Sequence, residues 1–103
     1  MTTFPLVQTG PHMTRQVLSE HPQIMIVAFR FEAPGASGAL HEHPHVQATY
    51  VESGRFLFHV GERSFEVAQG DSFVVPAGVV HGCRCIAPGC LIDSFTPRRD
   101  DFL

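Results

Sequence analysis

Residues 46–76 read VQATYVESGRFLFHVGERSFEVAQGDSFVVP. Short runs rich in Val, Phe, Tyr and Thr are separated by the pairs Ser-Gly, Gly-Glu and Gln-Gly, and nothing in the stretch repeats with a helical period. Strict alternation in RFLFHV puts Phe56, Phe58 and Val60 on one face and Arg55, Leu57 and His59 on the other, the mark of a strand with one buried side. The pattern continues outward. QIMIVAFRF (23–31) precedes this stretch, VVHGCRCI (79–86) and CLIDSF (90–95) follow it, and APGASG, PAG and APG punctuate them. Strand starts recurring every ~8–12 residues point to an antiparallel sandwich, jelly roll or small barrel. TRQVLSEH (14–21) is the one weakly helical segment, and it is short for a helix.

The chain has 103 residues, 44% of them apolar, enough for one domain with one core. A single domain over 1–103 is expected, with its core at about 24–97 and a tail at 98–103. No run approaches the ~18 consecutive apolar residues of a membrane span, and the N-terminus lacks a basic-then-apolar signal pattern. The expectation is therefore a cytoplasmic protein without a membrane partner. Cys83, Cys85 and Cys90 are odd in number and clustered, which suits reduced thiols and not a disulfide framework. All seven basic residues are arginine and the net charge is −3, which argues against lysine Schiff-base chemistry and against a nucleic-acid partner. An anionic ligand would have to be held by local arginines or by a metal.

Metal ligands are concentrated in HEHPHVQ (41–47). In an extended strand His41, His43 and Gln47 point to one side, while Pro44 can swing His45 away to an outward or supporting position. His81, just after the PAGVV turn, is the best candidate to complete the set. His12, His21 and His59 read as ordinary surface or hydrogen-bonded histidines. In VVHGCRCI, His81, Cys83 and Cys85 share a face; in LIDSF, Leu91, Asp93 and Phe95 share one, which sets an acid beside an aromatic ring. On parity alone Asp93 reads equally as a salt-bridged strand residue, Phe95 as core and Arg99 as a solvated tail residue.

Gly35, His41, His43, Gln47 and Gly54 resemble the first cupin motif, and Gly70, Pro76, Gly78 and His81 resemble the second, both in unbroken spacing. The resemblance implies an all-β, single-domain cupin jelly roll, a double-stranded β-helix barrel, with a metal inside it held by His41, His43, Gln47 and His81. Two positions depart from the common pattern. Gln47 stands where Glu is usual, and Cys85 where Asn is frequent. Four neutral ligands would leave a divalent ion its full charge and make it a stronger Lewis acid toward an anion. Cys85 reads as a packed small residue.

The ending LIDSFTPRRDDFL, with HEHPHVQATYVESGRF and GDSFVVPAGVVHG, looks like the KdgF-type cupins of pectin and alginate breakdown. That resemblance implies an enzyme opening 4,5-unsaturated monouronates to linear keto forms. It assigns Asp93 as proton shuttle, Phe95 as pocket wall and Arg99 as grip for the substrate carboxylate, with Arg98 the competing arginine. It also implies a divalent cofactor (Ni, Fe, Zn, Mn or Co), a small anionic sugar as substrate, and a homodimer. A cupin dioxygenase and a non-catalytic sugar-binding or sensor cupin are the competing functions.

Overall fold

Seven β-strands and one short 3-10 turn, Asp100–Phe102, make up the regular elements of the computed structural model, which describes residues 3–103. The strands are β1 (Val7–Gly10), β2 (Met13–His21), β3 (Ile24–Phe31), β4 (Val46–Val60), β5 (Arg63–Ala68), β6 (Ser72–Val75) and β7 (His81–Thr96). All pairs are antiparallel, in the order β1-β2-β3-β7-β4-β5, with β6 beside β4. No helix among the described residues is long and apolar enough to cross a membrane.

β4 and β7 are the long elements, and they correct the reading of two turns. Ser53-Gly54 was expected to separate two strands, and so was the APG at 87–89. Both lie inside continuous strands. The β4–β7 register shifts at Val51/Ser53, Ser53/Arg55 and Arg55/Phe56, so the Ser-Gly pair makes a bulge and no reversal. Val51 faces Leu91 before the bulge and Phe56 faces Cys85 after it. All four are buried, because the extra residue flips the strand's parity and keeps its apolar side inward. Gly-Glu at 61–62 does reverse the chain, between β4 and β5.

TRQVLSEH is also corrected. It lies in β2, where Thr14 to Val17 pair with Arg30 to Val27 and Ser19 to His21 with Ile26 to Ile24. An eight-residue segment pays a nucleation cost as an isolated helix that a ready-made ladder on β3 avoids. β1 and β2 thus join the sheet upstream of the apolar run at 23–31.

The core falls into two clusters. One holds Phe31, Val51, Phe56, Phe58, Val67, Cys85 and Leu91; the other holds Val17, Met25, Val27 and Phe95. Phe56 and Phe31 meet edge to face with centroids 5.0 Å apart. Each such side chain contributes about 1.5–3 kcal/mol by leaving water. A cavity of about 270 Å³ is lined from both clusters, by Phe31 and Phe58 of the first and Phe95 of the second.

Candidate metal centre

Among the described residues five polar side chains are buried in this small barrel: His43, Gln47, Thr49, His81 and Asp93. Buried polar groups are the informative exceptions in a core, and these five sit together. Register explains why. Thr49 lies directly opposite Asp93, and Gln47 opposite Phe95, across the β4–β7 ladder. His41 and His81 form an isolated antiparallel bridge with N–H to O distances of 2.9 and 2.8 Å. The Gly78 N–H donates to the His43 carbonyl at 2.8 Å, so the turn before His81 also carries His43.

The extended reading of 41–47 is thereby corrected. His41 is on the bridge, residues 42 and 43 are irregular, 44 and 45 form a bend, and only Val46 and Gln47 belong to β4. His41, His43 and His81 nonetheless converge, with one candidate ligand atom each and all three atoms within 4.8 Å of one another. His45 is not one of the three; its ring packs edge to face on His43, with centroids 5.4 Å apart, and its centroid lies 6.4 Å from that of Phe95.

Each of the three rings has Nδ1 against a backbone carbonyl: Ala39 for His41 at 3.1 Å, His45 for His43 at 3.0 Å and Val79 for His81 at 2.9 Å. A carbonyl only accepts, so Nδ1 carries the proton and Nε2 keeps its lone pair. The His81 Nε2 is buried without a hydrogen-bond partner among the described residues. His43 Nε2 lies 3.1 Å from the Gln47 Oε1. Those are then two acceptors facing each other, an arrangement that a cation between them relieves.

Gln47 is oriented by its other end. Its Nε2 donates to Thr49 Oγ1 at 3.0 Å and to Asp93 Oδ2 at 3.2 Å, which leaves Oε1 toward the histidines. Thr49 donates in turn to Asp93 Oδ1 at 2.6 Å. The donor set fits a divalent ion on three imidazoles, with the Gln47 amide oxygen as a fourth donor. Burial holds His43 and His81 below the usual histidine range, so both are neutral and able to ligate at neutral pH.

The buried Asp93 carboxyl is pushed up to about 7 by loss of hydration, against the opposing Thr49 hydrogen bond and Arg99 charge. Cys83 lines the same cavity, and burial foremost pushes its thiol up to about 12, so in the metal-free protein it stays a neutral thiol. Cys85 packs in the core with 1% exposure.

The tail folds onto the barrel. Arg99 and Phe102 both line the cavity, together with Asp93 and Phe95. The Arg99 guanidinium lies 5.1 Å from the Phe95 centroid and 4.2 Å from that of Phe102. Arg98 points elsewhere, to Glu20 and Asp100, each at 2.7 Å. The sequence reading missed Thr49, which holds Gln47 and Asp93 from behind, and Arg15 and Phe102, which line the cavity. Thr49 shares the parity of Gln47 and could have been found that way; Arg15 and Phe102 carry no local signal.

The cupin domain family matches residues 31–95, the span from the end of β3 to the end of the cavity wall at Phe95. The chain belongs to the cupin family. This cupin is 32% identical over 101 residues to the pectin degradation protein KdgF of Dickeya dadantii (strain 3937), covering 96% of this chain and 91% of that one. Its fold superposes on KdgF from Halomonas sp. with a TM-score of 0.91 at 32% identity, covering 100% and 99% of the two chains. An RmlC-like cupin from Shewanella frigidimarina matches with a TM-score of 0.90 at 38% identity, covering 97% and 89%.

The centre makes a prediction that does not depend on activity. Zn or Ni at a hundred times its dissociation constant should stabilise the protein by about 2.7 kcal/mol, read as a rise in melting temperature. His81→Ala should abolish that response. Affinity should fall as pH drops below the usual histidine range, because protonated imidazoles cannot ligate. A metal-induced rise that survives in His81→Ala would remove His81 from the ligand set.

Proposed function

We propose that this cupin converts 4,5-unsaturated monouronates, of the kind released in pectin and alginate breakdown, into their linear keto forms, as an isomerase-type enzyme with a divalent cofactor. The observation that carries the reading is that Asp93 is hydrogen-bonded to Gln47, whose amide oxygen faces His43, and that Asp93, Gln47, His41 and His81 line one cavity. The likeness to two KdgF proteins supports it. So does the cavity's size, about 270 Å³, which suits one sugar and no polymer.

The reaction is balanced without any added reactant. The anomeric hydroxyl loses its proton, C1 becomes an aldehyde as its bond to the ring oxygen breaks, and that oxygen becomes the C5 carbonyl as C4 gains a proton. Asp93, with its carboxyl near neutrality, suits both transfers: it accepts the first proton as a base and delivers one to C4 as an acid. His41, His43, His81 and Gln47 would hold the metal, of the class of Ni, Fe, Zn, Mn or Co. When bound, it supplies Lewis-acid stabilisation of the negative charge that develops on substrate oxygens. Phe95 walls the cavity, and Arg99 and Phe102 close over it from the tail.

Ultraviolet absorbance of the conjugated double bond tests this directly. Metal-loaded protein should remove the absorbance of an unsaturated uronate faster than it decays spontaneously, and chelation should return the rate to the spontaneous one. A rate equal to the spontaneous one with loaded protein would overturn the reading. Oxygen uptake with another substrate would then move the function to the dioxygenase class.

A further inference from the structure

Two arginines border the cavity in different electrostatic states. Arg99 donates from Nε and Nη2 to the two carboxylate oxygens of Asp101, at 3.0 and 2.8 Å. Its bidentate edge is therefore occupied, its charge is balanced, and its plane rests on Phe95 and Phe102. Only 12% of its side chain is exposed, and its packing on Phe95 ties the tail to β7.

Arg15 has no such partner. It projects from β2, opposite Phe29 of β3, and its guanidinium lies 4.3 Å from the centroid of Phe102, the ring it shares with Arg99. Among the described residues it makes no ion pair, while Arg98, Arg99 and Arg55 each have a carboxylate. A ring face engages the guanidinium charge without pairing its N–H donors, which leaves them available to the cavity that Arg15 lines. A cation at an apolar rim with no counterion is complementary to a ligand that brings one. The chain's net charge of −3 would repel that ligand, so attraction has to be local.

We propose that Arg15 binds the carboxylate of the substrate and sets the preference for a uronate over a neutral sugar, with Arg99 as the clamp that positions the shared Phe102 ring. This rests on the anionic substrate class proposed above and assigns its recognition to a residue outside both cupin motifs. Arg15 is a binding residue here, and proton transfer stays with Asp93.

The test uses metal-loaded full-length protein. Arg15→Gln should raise KM for an unsaturated uronate by about ten-fold or more, with a smaller change in kcat, as expected for loss of a charge-assisted hydrogen bond to a bound anion. Arg15→Lys keeps the charge without the fork and should fall between Gln and wild type. Calorimetry separates this from the reaction itself. Wild type should bind galacturonate more tightly than galactose, and Arg15→Gln should lose that preference while its melting temperature and zinc binding hold. If Arg15→Gln does not fold, the same comparison on Arg15→Lys decides. Equal galacturonate binding in wild type and the variants, or no preference over galactose in wild type, overturns the proposal. Arg15-dependent galacturonate binding without turnover would uphold it and sink the ketonisation reading instead.

Discussion

Asp93→Asn should slow removal of an unsaturated uronate by about 10²–10⁴-fold, the usual worth of a positioned acid or base. The substitution is close to isosteric, and an amide in that place can still meet the Gln47 Nε2 and Thr49 Oγ1. The ligand set should therefore survive, so zinc binding by calorimetry should stay near wild type while kcat collapses. Wild-type kcat in Asp93→Asn would end the shuttle assignment.

The pH dependence follows from the same residue. Burial lifts Asp93 to about 7 from an ordinary carboxyl value of 3.8, so the folded protein favours the neutral acid. In the metal-free protein that stabilisation is complete below the ordinary value and is lost as pH rises through about 7. The histidines act in the other direction. Burial lowers His43 and His81, so their contribution is present above 6.5 and is lost as pH falls through their depressed values. Both windows lie at or below about 7 and oppose each other, so the metal-free melting temperature should level off above about 7, and a continued fall there in thermal unfolding would refute the account.

Gly89→Ala should prevent folding. At the β4 bulge, Gly54 and Gly89 bring two backbones into contact. Gly54 adopts φ +84°, and a Cβ there would lie 2.6 Å from the Ala87 carbonyl oxygen. A Cβ on Gly89 would overlap the Ser53 carbonyl group and the Gly54 nitrogen. No side chain can move aside, because every atom in the clash is backbone. Relief requires opening the β4–β7 ladder, at a cost of about 5 kcal/mol or more, in the range of the most damaging single substitutions. Against a total stability of about 5–15 kcal/mol this leaves little folded protein. Gly70→Ala is the comparison, since a Cβ there meets nothing within 4 Å and only the φ of +93° is strained. Urea unfolding of both variants would show it, and a cooperative wild-type midpoint for Gly89→Ala would refute the close-approach account.

Much of the site was legible as spacing. HEHPHVQ, the PAG turn and His81 named the three histidines that converge, and parity in LIDSF set Asp93 and Phe95 on one face. These are local facts: a strand's two-residue period and a turn's need for Gly or Pro are imposed within a few residues of chain. The sequence by itself therefore determined an all-β chain, the faces of its strands and the residue types for a neutral ligand set.

The rest depended on what each strand meets. Ser53-Gly54 has the composition of a turn, and it became a bulge because Gly89 stands across from it in a sheet neighbour distant in sequence. Thr49 became the partner of Asp93 through the β4–β7 register, and β2 formed because β3 offered a complete ladder to a segment that had only weak helical character. The choice between Arg98 and Arg99, and the part played by Arg15, rested on where the tail lies: Asp101 occupies one fork, Glu20 takes Arg98, and Arg15 is left facing the cavity. Pairing across the barrel joins residues tens of positions apart, and no local period encodes which charge will be left unpaired.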